Sequence, residues 1–148
     1  MNRLLHRLPA LEIVTCWNLP MRLVDQYSEG DLDVLSVAGE IDMHFAPGLR
    51  ALLQAEAKKK CPVLLLDMSG VDFIDSVGIA AILEYLRDAS DSGTRFCIGG
   101  LSPTLRTIFE VVGLGNVMPI YIDAAKAKEA VITDRLPTVP KRRFAAAA

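Results

Sequence analysis

The residues best placed to do chemistry in this sequence are Asp75 and Ser76, where a polar segment meets a helical pattern. Ile79, Ile82, Leu83 and Leu86 recur at i, i+3, i+4 and i+7, which draws one apolar stripe on a helix. Asp75 then falls at the N-cap and Ser76 at the first helical position. A hydroxyl there points out of the positive end of the helix dipole, away from the core, where a second protein can reach it. It offers an acceptor for a transferred group. By position alone, the commoner role of such a serine is to cap or begin the helix.

Other residues compete with it. Asp67 follows the apolar run 63–66 and suits an aspartyl phosphoacceptor. That chemistry needs an acidic pair for Mg²⁺ and a lysine after the last strand. Glu40 and Asp42 imitate the pair, but the segment 119–123 leads into Ala124, and Lys126 falls within a helical pattern. Ser76 as a hydrolase nucleophile lacks GxSxG, and the only bases to pair with it are His6 and His44. No GxxxxGK is present, and Gly113-Leu114-Gly115 lacks a third glycine after a strand. Cys16, Cys61 and Cys97 are widely spaced with no CxxC, so they are expected to be reduced thiols without a metal. No enzyme activity, cofactor or metal is expected.

The elements that must position Ser76 follow from the pattern around it. Residues 63–66 are apolar throughout and suit a strand buried on both faces. Residues 67–75 look like a polar loop leading to the Ser76 helix, which ends near 90–93. Upstream, 21–27 and 32–38 form an expected hairpin about the turn 28–31. Gly39 to Asp42 closes its second strand, and a helix follows over 46–60 with Pro47 in its first turn. Leu49, Leu52, Leu53 and Glu56 share one face of that helix, and the lysines 58–60 complement its C-terminal dipole. Downstream come a strand at 95–98 and a helix capped by Ser102 and stopped by Gly113. A strand at 119–122 and a helix begun by Asp123 complete the pattern. The order β-β-α-β-α-β-α-β-α implies an α/β domain with a mixed, mostly parallel sheet of about five strands and about four helices.

Composition agrees with a single globular domain over 20–134. Of 148 residues, 51% are hydrophobic and 23% charged. A net charge of −2 and pI near 5.7 supply no basic footprint for nucleic acid. No apolar run is long enough to span a membrane. Residues 1–19 read as an N-terminal extension, not a signal peptide, because Arg7, Pro9 and Glu12 interrupt the apolar run. Residues 135–148, with two prolines and a basic cluster, read as a flexible tail.

The succession of a strand, GEID, a helix and VLLLDMSGVDFIDSVGIAAIL, then a strand, a Ser-Pro helix and GLGNV, resembles the STAS domain. It is most like the anti-sigma-factor antagonists of bacteria, and the likeness runs from about residue 21 to 133. It implies that Ser76 is the phosphoacceptor, within a D-S-x-G motif formed by Asp75, Ser76, Val77 and Gly78. Asp42 matches an acidic residue near the acceptor, while Asp72, Phe73 and Ile74 complete the adjoining loop. Val77 departs from the pattern, since a second Ser or Thr is frequent there.

The resemblance further implies a cytoplasmic partner-switching protein. Unphosphorylated, it would bind an anti-sigma factor of the histidine-kinase-like ATPase type and release the sigma factor. Serine phosphorylation by that kinase would end the binding, and a protein phosphatase would restore it. The alternative is a non-switching STAS adaptor of a stress-signalling scaffold or a lipid-transport complex.

Overall fold

The computed structural model describes residues 20–133; the expected extension (1–19) and tail (135–148) lie outside the described residues. Five strands form one sheet in the order β1 (Arg22–Glu29), β2 (Leu32–Ile41), β3 (Val63–Ile74), β4 (Arg95–Gly99) and β5 (Ile120–Tyr121). β1 and β2 are antiparallel about Gly30 (φ 57°), and each later strand pairs in parallel with its predecessor. Four α-helices intervene or follow: α1 (Ala46–Lys59), α2 (Ser76–Ser92), α3 (Pro103–Val111) and α4 (Ala124–Ile132). A 3₁₀ turn over Leu114–Asn116 follows α3.

Alternation along the strands divides the core in two. Leu35, Val37, Leu64, Leu66, Met68, Phe96 and Ile98 face α1, α2 and α3. Leu32, Val34, Val63, Leu65 and Cys97 face the opposite way, where Ala127 of α4 packs against them. Strands added one after another by right-handed crossovers put α1 to α3 on a single face. The last helix folds back to cover the other. Fully burying a leucine or phenylalanine contributes about 1.5–3 kcal/mol, so Leu64, Leu65, Leu66 and Phe96 make the middle of β3 and β4 the anchor of the sheet.

β3 is longer than its apolar run suggests. Residues 67–74, expected as loop, continue the strand: Ala38 pairs with Gly70, Gly39 with Val71, Glu40 with Phe73 and Ile41 with Ile74. Two register shifts, between Ser36 and Ala38 and between Gly39 and Glu40, disturb the alternation. Met68, Val71 and Ile74 are buried at a spacing of three, which reads as loop and not as strand. Gly70 permits the close approach, since a Cβ there would lie 2.6 Å from that of Ala38. β2 likewise runs to Ile41, and the last strand shrinks to two residues.

The helix boundaries follow their capping chemistry. The Ser102 hydroxyl accepts from Leu105 N–H at 3.3 Å, and Asp123 accepts from Lys126 N–H at 2.8 Å. Gly93 (φ 80°) ends α2, and Gly113 (φ 76°) follows α3. The buried face of α2 is wider than the four-residue stripe, because Ala81, Tyr85 and Ala89 pack as well. Tyr85 meets Phe96 edge-on at 4.8 Å.

Candidate functional site at the start of α2

Ser76 sits where three backbone segments lock together. Asp75 N–H donates to the carbonyl of Ile41 at 3.1 Å, tying the end of β3 to the end of β2. The Asp75 carboxylate accepts from Val77 N–H at 2.9 Å and Gly78 N–H at 3.0 Å. Asp75 is therefore the N-cap, as its position implied. Gly78 is buried against β2: a Cβ would lie 2.8 Å from the Ile41 carbonyl oxygen and 2.7 Å from Ile74 Cγ1. Only a residue without a side chain lets the helix start this close to the strand.

Ser76 is exposed on this anchored platform. Its surroundings sort the expected site residues into two groups. Asp72 and Phe73 are exposed, with Phe73 at 45% of its full surface, and Val77 is half-buried. Ile74, by contrast, is 2% exposed, and it and Gly78 are packing residues that fix the site from below. Asp72, Phe73 and Ile74 belong to β3, which makes them a strand end instead of a loop. Asp42 organises its own turn by accepting from His44 N–H at 2.9 Å and Phe45 N–H at 3.1 Å.

The sequence pattern did not single out Met43, which follows Asp42 and is 62% exposed. Met43, two residues past the end of β2, and Phe73, near the end of β3, present exposed apolar surface at the end of the sheet that carries Ser76. A large side chain just beyond a strand-closing turn is the signal that could have found it.

Among the described residues, the competing chemistries are not assembled. Asp67 pairs across from Ser36, whereas Glu40 lies across from Phe73, four residues farther along β2. At about 3.3 Å per residue that is roughly 13 Å, too far for Glu40 and Asp67 to share one Mg²⁺. The Asp67 carboxylate instead accepts from Ser36, and from both the N–H and the hydroxyl of Ser69. His44 is an exposed neighbour of Asp42, with Nδ1 at 3.9 Å from Oδ2. His6 lies outside the described residues. Gly113-Leu114-Gly115 follows a helix instead of a strand, which is the wrong context for a dinucleotide turn.

Comparison with known proteins gives the fold its family. The model of the STAS domain matches residues 26–127. This chain belongs to the STAS domain family. An "Anti-sigma-B factor antagonist" of Listeria monocytogenes is 29% identical over 102 residues, covering 68% of this chain and 90% of that protein. An "Anti-sigma F factor antagonist" of Lysinibacillus sphaericus is 29% identical over 94 residues, covering 63% and 78%. The crystal structure of an anti-sigma factor antagonist from Mycobacterium paratuberculosis superposes with a TM-score of 0.69 at 28% identity, over 75% of this chain and 93% of that one. The resemblance read from the sequence is thus borne out at the level of family and relatives. Among the described residues, no helix is long and apolar enough to cross a membrane.

Proposed function

We propose that this STAS protein is an anti-sigma-factor antagonist, a binding switch of the cytoplasm whose acceptor is the Ser76 hydroxyl. The observation that carries the reading is the position of Ser76: exposed, on an anchored helix start, at the end of the sheet where Met43 and Phe73 are also exposed. Apolar residues around one hydroxyl suit a protein surface that a partner covers. The relatives named above supply the class of partner, an anti-sigma factor. A histidine-kinase-like ATPase of that class transfers the γ-phosphoryl group of ATP to Ser76, and a protein phosphatase removes it. The chain itself contributes an acceptor and a docking face, not catalysis.

The electrostatics of the site favour switching at the interface. Phosphorylation adds about −1.5 to −2 charges. The N–H groups of Val77 and Gly78 already donate to Asp75, so the phosphate cannot take them without displacing the cap. The Asp75 and Asp72 carboxylates lie one and four residues before it in the chain. The added charge therefore turns outward. Desolvating it against an apolar or acidic partner costs several kcal/mol, and about 4 kcal/mol weakens binding roughly a thousandfold.

Intact-mass spectrometry after incubation with ATP and a cognate anti-sigma kinase tests the reading. One added phosphate, absent in Ser76→Ala, is expected. Phosphate that persists in Ser76→Ala overturns the choice of residue, and binding without any phosphate transfer points to a non-switching STAS adaptor.

A further inference from the structure

Far from Ser76, near the opposite end of β2, the fold gathers three groups that the sequence scatters. Asp33 stands on β2, Glu56 on the last turns of α1, and Cys61 just beyond that helix. Lys60 adopts a left-handed conformation (φ 53°), ending α1 so that the chain turns back at Cys61. One ligand atom from each of Asp33, Glu56 and Cys61 lies within 4.8 Å of the others. Asp33 pairs with Leu64 and Ile41 with Ile74, so eight residues of strand, roughly 26 Å, separate the cluster from the Ser76 end.

The carboxylate of Glu56 is the anomaly. The residue is 1% exposed, and its Oε2 is buried without a hydrogen-bond partner. Its other oxygen is well served: Oε1 accepts from Gln26 Nε2 at 2.6 Å and Lys59 Nζ at 2.9 Å. Asp33 Oδ1 accepts from the Ser28 hydroxyl at 2.6 Å, and the same carboxyl lies in hydrogen-bonding contact with Glu56 and Cys61. At Glu56 the donors hold one carboxylate oxygen and leave the other unpartnered, the form of outer shell by which metal ligands are oriented. A buried carboxylate oxygen with no partner is otherwise a costly feature.

We propose that Asp33, Glu56 and Cys61 bind a zinc-class divalent cation that fastens β2, α1 and the turn before β3. The donor set selects the metal: two carboxylate oxygens and a sulfur suit Zn²⁺, whereas Ca²⁺ and Mg²⁺ take oxygen alone. Charge balances as well. Two carboxylates and a thiolate carry −3, Lys59 carries +1, and a divalent ion closes the sum to zero. In binding, a Zn–S bond forms at Cys61, its S–H bond breaks, and the proton leaves to solvent with no change of oxidation state.

Co²⁺ added to the full-length, metal-stripped chain provides the test, because a cobalt–thiolate bond has its own charge-transfer absorption. One equivalent of Co²⁺, with a solvent water as the fourth ligand, should produce that band together with tetrahedral d–d bands, and Zn²⁺ should displace it. Cys61→Ser should abolish the band, and Glu56→Gln, which keeps the buried shape, should weaken binding at least tenfold. A Cys16→Ser, Cys97→Ser double variant should retain the band in full. Circular dichroism of each variant shows that it is folded. Absence of the band in the wild-type chain overturns the proposal, as does its persistence in Cys61→Ser or unchanged affinity in Glu56→Gln.

Discussion

Replacing Gly78 with alanine should harm this protein although alanine is the better helix former. In an unobstructed helix the exchange gains about 1 kcal/mol. Here the new methyl carbon would lie 2.7 Å from Ile74 Cγ1, 2.8 Å from Ile41 Cγ2 and 2.8 Å from the Ile41 carbonyl oxygen. Ordinary contact begins at 3.4 Å, so each partner must retreat by about 0.6 Å, and one of them is backbone. Overpacking of this kind costs about 1–3 kcal/mol. The Ile41 carbonyl also accepts from Asp75 N–H, and losing that bond adds about 1 kcal/mol. After the helix gain is subtracted, a net loss of about 1–3 kcal/mol remains.

Urea unfolding read by circular dichroism measures that loss, with Gly115→Ala as the comparison. A Cβ at Gly115 meets nothing within 4 Å, so that variant should stay within about 0.5 kcal/mol of wild type. Gly78→Ala should also slow phosphoryl transfer to Ser76, because α2 must move outward at its first turn. A Gly78→Ala protein as stable as the wild type would refute the claim that the helix start is wedged against β2.

Removing the cap by Asp75→Ala should cost about 1 kcal/mol in the same assay, since two N–H groups lose their acceptor. Phe73→Ala should leave stability within about 0.5 kcal/mol of wild type yet weaken partner binding, by calorimetry, about fivefold or more. Burial pushes the Cys97 thiol up to about 12, against a smaller opposing influence of Arg95. Its native-state reaction with a disulfide reagent, in a Cys16→Ser, Cys61→Ser background, should therefore be far slower between pH 7 and 9 than in urea. The raised value also fixes the sign of the stability effect: the contribution is fully present below the unfolded thiol pKa of about 8.5 and is lost as pH rises toward 12.

The sequence was most legible where the physics is local. The Asp75, Ser102 and Asp123 caps each act within three residues, and each was placed correctly from residue type and spacing. Residues 67–74 were misread because their strand character is long-range. Asp67, Ser69, Gly70 and Asp72 look like loop until Ala38–Ile41 is brought alongside, and two register shifts hide the period of two. Glu56 was hidden in another way. It was seen on the apolar face of α1, but its burial depends on Gln26, thirty residues away, and on Lys59. No count of cysteine spacings would have joined Cys61 to two carboxylates on other elements.

The geometry around Ser76 bears on how a modification there is felt. Helix starts commonly bind phosphate because their first N–H groups are free and the dipole favours an anion. In this chain Asp75 occupies the N–H groups of Val77 and Gly78, so much of that attraction is already spent. The platform below cannot rearrange cheaply either, since Gly78 abuts Ile41 and Ile74, and the Asp75 N–H is held by Ile41. A phosphate on Ser76 would therefore find the N–H groups of Val77 and Gly78 already taken and no soft element to displace. Its charge would remain on the surface, at the end of the sheet that carries the exposed apolar residues Met43 and Phe73. On the proposed reading, phosphorylating a hydroxyl fixed in this way would change what the surface binds without changing the fold that carries it.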